Sequence, residues 1–176
     1  MIVQRAVDRT PVPWKNGLGV QYEITCDGSL PDDWTWRLST ADITQDVPFS
    51  SFPGVTREFC VADGNGVVLN INGVDHRCEP GSVTTFRGDD VVLATLIDGP
   101  MRALNLMVRD GSKNRSLRLG TVGQSIDFCS VVIALGSTST SNLVVNTDQV
   151  SLQKLDALIF DSLITIEVAD GVVASI

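Results

Sequence analysis

The sequence predicts an all-β chain, an antiparallel β-barrel or sandwich arranged as two stacked β halves, and three observations predict it. Turn dipeptides recur from end to end: Asp27-Gly28, Asp63-Gly64, Asn72-Gly73, Asp98-Gly99, Asp110-Gly111 and Asp170-Gly171 all tolerate the positive φ of tight turns. Short runs rich in Val, Ile, Leu and Thr lie between them, the signature of many short strands. Two stretches also look alike. Val67–Ile71, a turn, Cys78–Ser82 and Val83–Phe86 match Leu143–Asn146, a turn, Leu152–Asp156 and Ala157–Phe160, which suggests an internal duplication.

Taken in order, Gln21 to Thr25 alternates as a strand, and Trp34 to Ser39 follows as a second. Val67 to Ile71 runs into Asn72-Gly73 and reads as the first arm of a hairpin. Val91 to Ile97 ends at Asp98-Gly99-Pro100, and Met101 to Val108 and Ser130 to Leu135 read as buried strands. Only Val150 to Leu158 passes for a helix, and it is short and poorly capped. The polar stretch Asp110 to Arg118 marks the seam. The expected division is therefore an N-terminal half, 1–110, carrying a pocket, and a smaller C-terminal half, 111–176, packed as one compact unit.

With 43% hydrophobic and 19% charged residues among 176, the composition is globular. A net charge of −8 argues against tracking nucleic-acid phosphates or an anionic membrane surface. An anionic ligand would need a local pocket whose cations oppose that field. No apolar leader is read at Met1–Arg9 and no run approaches the roughly 20 residues that span a bilayer, so a cytoplasmic location is expected. Cys26, Cys60, Cys78 and Cys129 are scattered without a CxxC pair and read as buried thiols.

The chain has one histidine, His76, two residues from Cys78 at the first hairpin. Metal sites in β-barrels of this kind need several imidazoles with a carboxylate, so neither a metal nor a cofactor is expected. His76 reads as a turn histidine beside a buried thiol. Acid–base chemistry would fall to carboxylates, Lys or Tyr. The denser polar signal lies in the first 60 residues. Pro13-Trp14-Lys15-Asn16-Gly17 joins an aromatic, a cation and an amide at a glycine turn, and Glu23 follows on an alternating strand. In Trp34–Ser39 alternation puts Arg37 and Ser39 on one face and Trp36 and Leu38 on the other. Val47–Gly54 is a proline-stiffened aromatic loop leading to Arg57. Arg37 suits either a carboxylate clamp, since a guanidinium fork matches a carboxylate, or a structural ion pair with Glu23. Trp14 and Trp36 fit a core first and a pocket lid second.

Five motifs in order carry a family resemblance: Pro13-Trp14-Lys15-Asn16-Gly17, Trp36-Arg37-Leu38-Ser39, Pro48-Phe49-Ser50-Ser51-Phe52-Pro53-Gly54, Ile97-Asp98-Gly99-Pro100 and Leu104-Asn105-Leu106-Met107-Val108-Arg109. Over Val12 to Arg109 the chain resembles the HutD/Ves family; beyond Arg109 the likeness rests on Leu155-Asp156-Ala157. The resemblance implies a cupin-like, bicupin fold without the usual metal ligands, a cytoplasmic bacterial protein, and an association with histidine utilisation. By position it carries over Trp14, Lys15, Asn16, Gly17, Gly19, Glu23, Trp36, Arg37, Ser39, Phe49, Ser50, Phe52, Pro53, Gly54, Arg57, Asn105 and Met107. Leu18 interrupts the glycine-rich run expected after Asn16, which puts a bulkier side chain near the pocket mouth.

Three functional readings follow. The first is a sensor or binding protein for a small carboxylate such as urocanate or a formylated or formimino glutamate. Arg37 and Lys15 would supply charge, Asn16, Ser39, Ser50 and Asn105 hydrogen bonds, and Trp14, Trp36 and Phe49 the apolar cover. The second is a metal-independent isomerase or hydrolase with Glu23 as base and Lys15 as acid. The third is a protein-interaction module, with a homodimer or partner surface on the C-terminal half.

Overall fold

The computed structural model describes residues 1–29, 32–113, 115–136 and 140–176. Strands occupy most of them: β1 (Ile2–Gln4), β2 (Pro11–Pro13), β3 (Val20–Cys26), β4 (Trp36–Ile43), β5 (Val47–Pro48), β6 (Val55–Asp63), β7 (Val67–Ile71), β8 (Val74–Cys78) and β9 (Val83–Arg87). They continue as β10 (Val92–Leu96), β11 (Met101–Arg109), β12 (Arg118–Thr121), β13 (Ser125–Leu135), β14 (Thr140–Val145), β15 (Asp148–Gln153), β16 (Ala157–Asp170) and β17 (Val172–Ser175). One 3₁₀ turn, Ala6–Asp8, follows β1. All pairings between these strands are antiparallel. Among the described residues no helix is long and apolar enough to cross a membrane.

The chain divides into two units. Thr10–Ser116 forms a sandwich of a six-stranded sheet, in the order β2-β3-β4-β11-β6-β9, and a four-stranded sheet, β5-β10-β7-β8. Alternation decides which side chains fill the space between them. Ile43, Phe59, Val61, Phe86, Met101 and Ala103 come from the first sheet, and Val47, Val67, Leu69, Cys78, Val92 and Ala94 from the second, all in one buried cluster. The hairpin β7–β8 closes as its sequence predicts, with positive φ at Asn72 (51°) and Gly73 (89°). The Asn70 side chain accepts the Gly73 N–H at 3.0 Å.

Met1–Arg9 and Leu117–Ile176 form the second unit, a seven-stranded sheet ordered β12-β17-β13-β16-β14-β15 with β1 against β16. Its pairing repeats that of the first unit. The series β4-β11-β6-β9 has its counterpart in β12-β17-β13-β16, and β10-β7-β8 in β16-β14-β15. The difference is that one fourteen-residue strand, β16, does the work of β9 and β10 together: it pairs β13 from Ala157 to Glu167 and β14 from Ile166 to Asp170. An apolar cluster running from Ile126 and Leu143 to Leu158 and Val173 fills this unit.

Two sequence expectations meet a different arrangement. Val150 to Leu158, the stretch that resembles a helix, is the end of β15, a turn with Leu155 at φ 67°, and the start of β16. The division 1–110 and 111–176 shifts at both ends, because the units part between Ser116 and Leu117 and the first nine residues join the C-terminal one. Two contacts hold them there: β1 pairs β16 from Ile2↔Ile159 to Gln4↔Ala157, and Asp156, only 2% exposed, is answered by Arg5 at 2.6 Å and the Ala6 N–H at 2.8 Å. A buried carboxylate needs such partners.

Leu69 is fully buried between the sheets of the first unit. Leu69→Ala should lower the unfolding free energy by about 2–5 kcal/mol. Urea unfolding would show this as an earlier midpoint with unchanged slope. A loss below about 0.5 kcal/mol would place Leu69 outside the core.

Candidate functional site

The inward face of the six-stranded sheet changes character along its strands. β4 points Arg37, Ser39, Ala41 and Ile43 inward, β11 points Met101, Ala103, Asn105 and Met107, and β6 points Arg57, Phe59 and Val61. One end of this face is therefore closed by the apolar cluster. The other end holds polar and charged groups, and a small cleft opens there, with about 30 Å³ of free interior volume. Gln21, Ala41, Ile43, Arg57, Asn105 and Met107 line it from the sheet, and Trp14, Lys15, Phe49, Ser50 and Phe52 from two loops.

Those loops are fixed by their own backbone. The Trp14 turn closes through Trp14 N–H to Gly19 O and Gly17 N–H to Trp14 O, both 2.9 Å. A Cβ on Gly19 would lie 2.8 Å from the Trp14 ring, so only glycine lets the indole fold back there. Asn16 ties the turn to the second loop: its N–H donates to Ser50 Oγ at 3.2 Å and its side-chain amide to Pro48 O at 3.0 Å. Phe52 N–H reaches Gly88 O at 2.6 Å, an approach a Cβ on Gly88 would block. Trp14 meets Phe49 edge-on, with ring centroids 6.0 Å apart.

Arg57 is the buried cation of the cleft, 5% exposed. Its guanidinium lies 5.0 Å from the centroids of Phe49 and Phe86 and 5.9 Å from Phe52, an aromatic collar that suits a cation. It donates to Asn105 Oδ1 at 3.1 Å and to Ser50 O at 3.4 Å, both neutral acceptors. Its Nε has no hydrogen-bond partner among the described residues, and no described carboxylate makes a salt bridge with it. Burial, with Arg37 adding repulsion, pushes Arg57 down to about 9, so it is still charged at neutral pH.

Arg37 is engaged elsewhere. It forms a 3.1 Å salt bridge with Glu23, with side-chain exposures of 5% and 19%. The contact is Coulombic more than directional. Both Glu23 oxygens and Arg37 Nε and Nη2 lack a well-aligned hydrogen bond. Burial raises Glu23 to about 7 even though Arg37 opposes the shift.

Of the residues singled out from sequence, Trp14, Lys15, Phe49, Ser50 and Asn105 come together around the cleft. Arg37, Ser39 and Asn16 do not line it: Arg37 pairs Glu23, Ser39 is buried between Glu23 and Asn105 in the strand register, and Asn16 staples the loops. Trp36 lies on the opposite face of β4, with Arg115 4.2 Å over its ring. Leu18 is 48% exposed and lines a neighbouring groove with Val20 and Thr44 rather than the cleft. Gln21, Ala41, Ile43, Phe52, Arg57 and Met107 complete the lining. Alternation from Val55 through Arg57 to Phe59 is the signal that points Arg57 inward. His76 is exposed at the β7–β8 hairpin, and among the described residues no three His, Cys, Asp or Glu side chains converge. Cys60 is buried, its thiol pushed up to about 12, and it is inert.

Comparison with known proteins gives the family and the fold. A family model described as HutD matches residues 6–173. Protein Ves of Citrobacter koseri is 41% identical over 98 residues, covering 54% of this chain and 51% of that protein. A protein of the hutC 3′ region of Pseudomonas putida is 40% identical over 105 residues, covering 58% and 55%. The chain thus spans about half the length of the curated relatives it matches. A solved HutD structure from Pseudomonas fluorescens aligns over 99% of this chain and 95% of its own, with TM-score 0.81 and 31% identity. A cupin barrel protein from Leptotrichia buccalis, at 11% identity and TM-score 0.58 over 98% and 99% of the two chains, shows the shared cupin fold.

Glu23 gives the site a measurable signature. Its folded value of about 7 stands above the ordinary 4.5, so between those values the folded state holds more protons than the unfolded one. Stability from this group is fully present below about 4.5 and is lost as pH rises through about 7. Glu23→Gln cannot titrate and should flatten that part of the melting temperature against pH. An identical profile in the variant would mean that Glu23 titrates at its ordinary value.

Proposed function

The chain belongs to the HutD family, and from that premise and the geometry of the cleft we propose that it is a binding or sensor protein for a small carboxylate, gripped by Arg57. The observation that carries this reading is a guanidinium 5% exposed at a cleft wall, collared by three phenylalanine rings and without an anionic partner among the described residues. A carboxylate arriving there meets a fork already desolvated and oriented, so little of the interaction is lost to ordering side chains. Asn105, Gln21 and Ser50 offer neutral hydrogen bonds beside it, and Trp14 and Phe49 cover an apolar portion. Lys15 stands exposed near the mouth, its ammonium 5.6 Å from the Phe52 ring, and adds attraction on approach. These cations oppose a net charge of −8, as a pocket for an anion in an acidic protein requires.

The relative of the hutC 3′ region supports testing acids of histidine breakdown first, among them urocanate and formylated or formimino glutamate. A regulatory role in that catabolism is the corresponding reading at the level of the cell. An acid–base enzyme finds one favourable observation, the raised Glu23. Glu23 is occupied by Arg37 and stands outside the cleft lining, so the binding reading is preferred.

Titration calorimetry against this panel should give a saturable acid. Arg57→Ala should weaken its binding by about 1.5–3 kcal/mol, roughly tenfold or more. Lys15→Ala should cost less and lose its effect at high salt. Unchanged affinity in Arg57→Ala for every acid that binds would overturn the assignment.

A further inference from the structure

We propose that a second copy of this chain docks on the free edge of β8, two β8 strands pairing antiparallel about a two-fold axis at His76. A sheet edge offers unpaired N–H and C=O groups, and proteins usually guard it. Two of the other edges of the first unit are guarded: β2 is Pro11-Val12-Pro13, and β5 is two residues ending in Pro48. β8 is five residues long and free of proline, and Val74, Asp75, His76 and Arg77 are all exposed.

The hairpin register decides which groups face outward. Ile71 and Val74 flank the two-residue turn, and Leu69↔His76 and Val67↔Cys78 follow at alternate positions. Residues flanking a two-residue turn exchange both backbone hydrogen bonds with each other, so Val74, His76 and Cys78 spend theirs on β7. Asp75 and Arg77 then turn their N–H and C=O groups to the open side. An added antiparallel strand must match outward residues with outward residues, which leaves three self-pairings. Asp75 opposite Asp75 and Arg77 opposite Arg77 both set like charges face to face. The third sets Asp75 opposite Arg77 of the second copy, twice, with the two His76 side by side at the axis. Alternating charge on this edge thus selects one register and rejects its neighbours.

A guarding charge of one sign repels its own copy, whereas this pattern attracts it. The present partners are exposed and release easily: Asn70 donates its amide to Asp75 at 2.6 Å, and Arg77 holds Glu79 at 2.6 Å in a pair that contributes little. Val74, 59% exposed, gains a neighbour opposite it in the second copy's Cys78. The counterpart edge β15 turns outward Gln149, Ser151 and Gln153, which carry no charge and select no register. The surface therefore lies on the first unit rather than on the C-terminal half.

Sedimentation of the full chain over a concentration series tests this. The expected result is a reversible dimer that weakens with added salt. Arg77→Asp should raise the dissociation constant on the order of tenfold or more, since two attractive pairs become repulsive. The double exchange Asp75→Arg with Arg77→Asp should restore the dimer, while Arg57→Ala should leave it unchanged. A monomer at every concentration overturns the proposal. So does a dimer indifferent to Arg77→Asp, or one that the double exchange fails to recover in a protein whose circular dichroism remains that of the parent.

Discussion

Two guanidinium groups, Arg37 and Arg57, sit inside one β sandwich, and one carboxylate, Glu23, is within salt-bridge reach of the first of them. Removing such groups from water is costly, and a side chain that cannot turn outward must be answered where it lies. Strand alternation forbids turning outward. Arg37 shares its face with Ala41 and Ile43, and Arg57 shares its face with Phe59 and Val61, so flipping either would expose the core. The polar end of the sandwich is built to answer them: Glu23 for Arg37, and Asn105, the Ser50 carbonyl and three aromatic rings for Arg57.

The loops follow from this constraint. Phe49 and Phe52 serve as the collar only if the Val47–Gly54 loop lies against the open end of the sheet. Phe49 N–H holds Val92 O at 2.9 Å, Phe52 N–H holds Gly88 O, and the Asn16 amide holds Pro48 O. The second unit obeys the same rule on a smaller scale: its buried carboxylate, Asp156, is answered where it lies by Arg5 and the Ala6 N–H, while the cluster around Leu143 and Leu158 is apolar.

Much of the fold was legible in sequence because turns and alternation are local. Asn72-Gly73 announces its hairpin, and inward parity is set residue by residue along β4, β6 and β11. The site was legible as a set of candidates, not as an arrangement. Arg37 and Arg57 both have inward parity, and only the strand register reveals which is answered by a carboxylate. A shift in β3 pairing between Glu23 and Thr25 decides that register, and a bulge leaves little trace in sequence. The attachment of Met1–Arg9 to the C-terminal unit depends on Arg5 finding Asp156, 151 positions away, which no local pattern encodes. Val150–Leu158 misleads because its apolar spacing straddles a turn at Leu155, where positive φ falls on a residue that seldom adopts it.

The buried charges also explain why the Glu23–Arg37 pair stays although it is poorly aligned. An apolar pair of similar volume would fill the space at lower cost in desolvation. It would also leave Arg57 as the lone charge in that end of the sandwich. With Glu23 ionised, the three groups carry one net positive charge, and an anion beside Arg57 cancels it. With Glu23 protonated they carry two, and the pull on an anion is stronger. Because Glu23 titrates at about 7, the interior passes between these states near neutral pH. Arg37 thus acts on the cleft without lining it, through repulsion that already lowers Arg57. The interior is left one negative charge short of balance, the charge that the proposed carboxylate would supply.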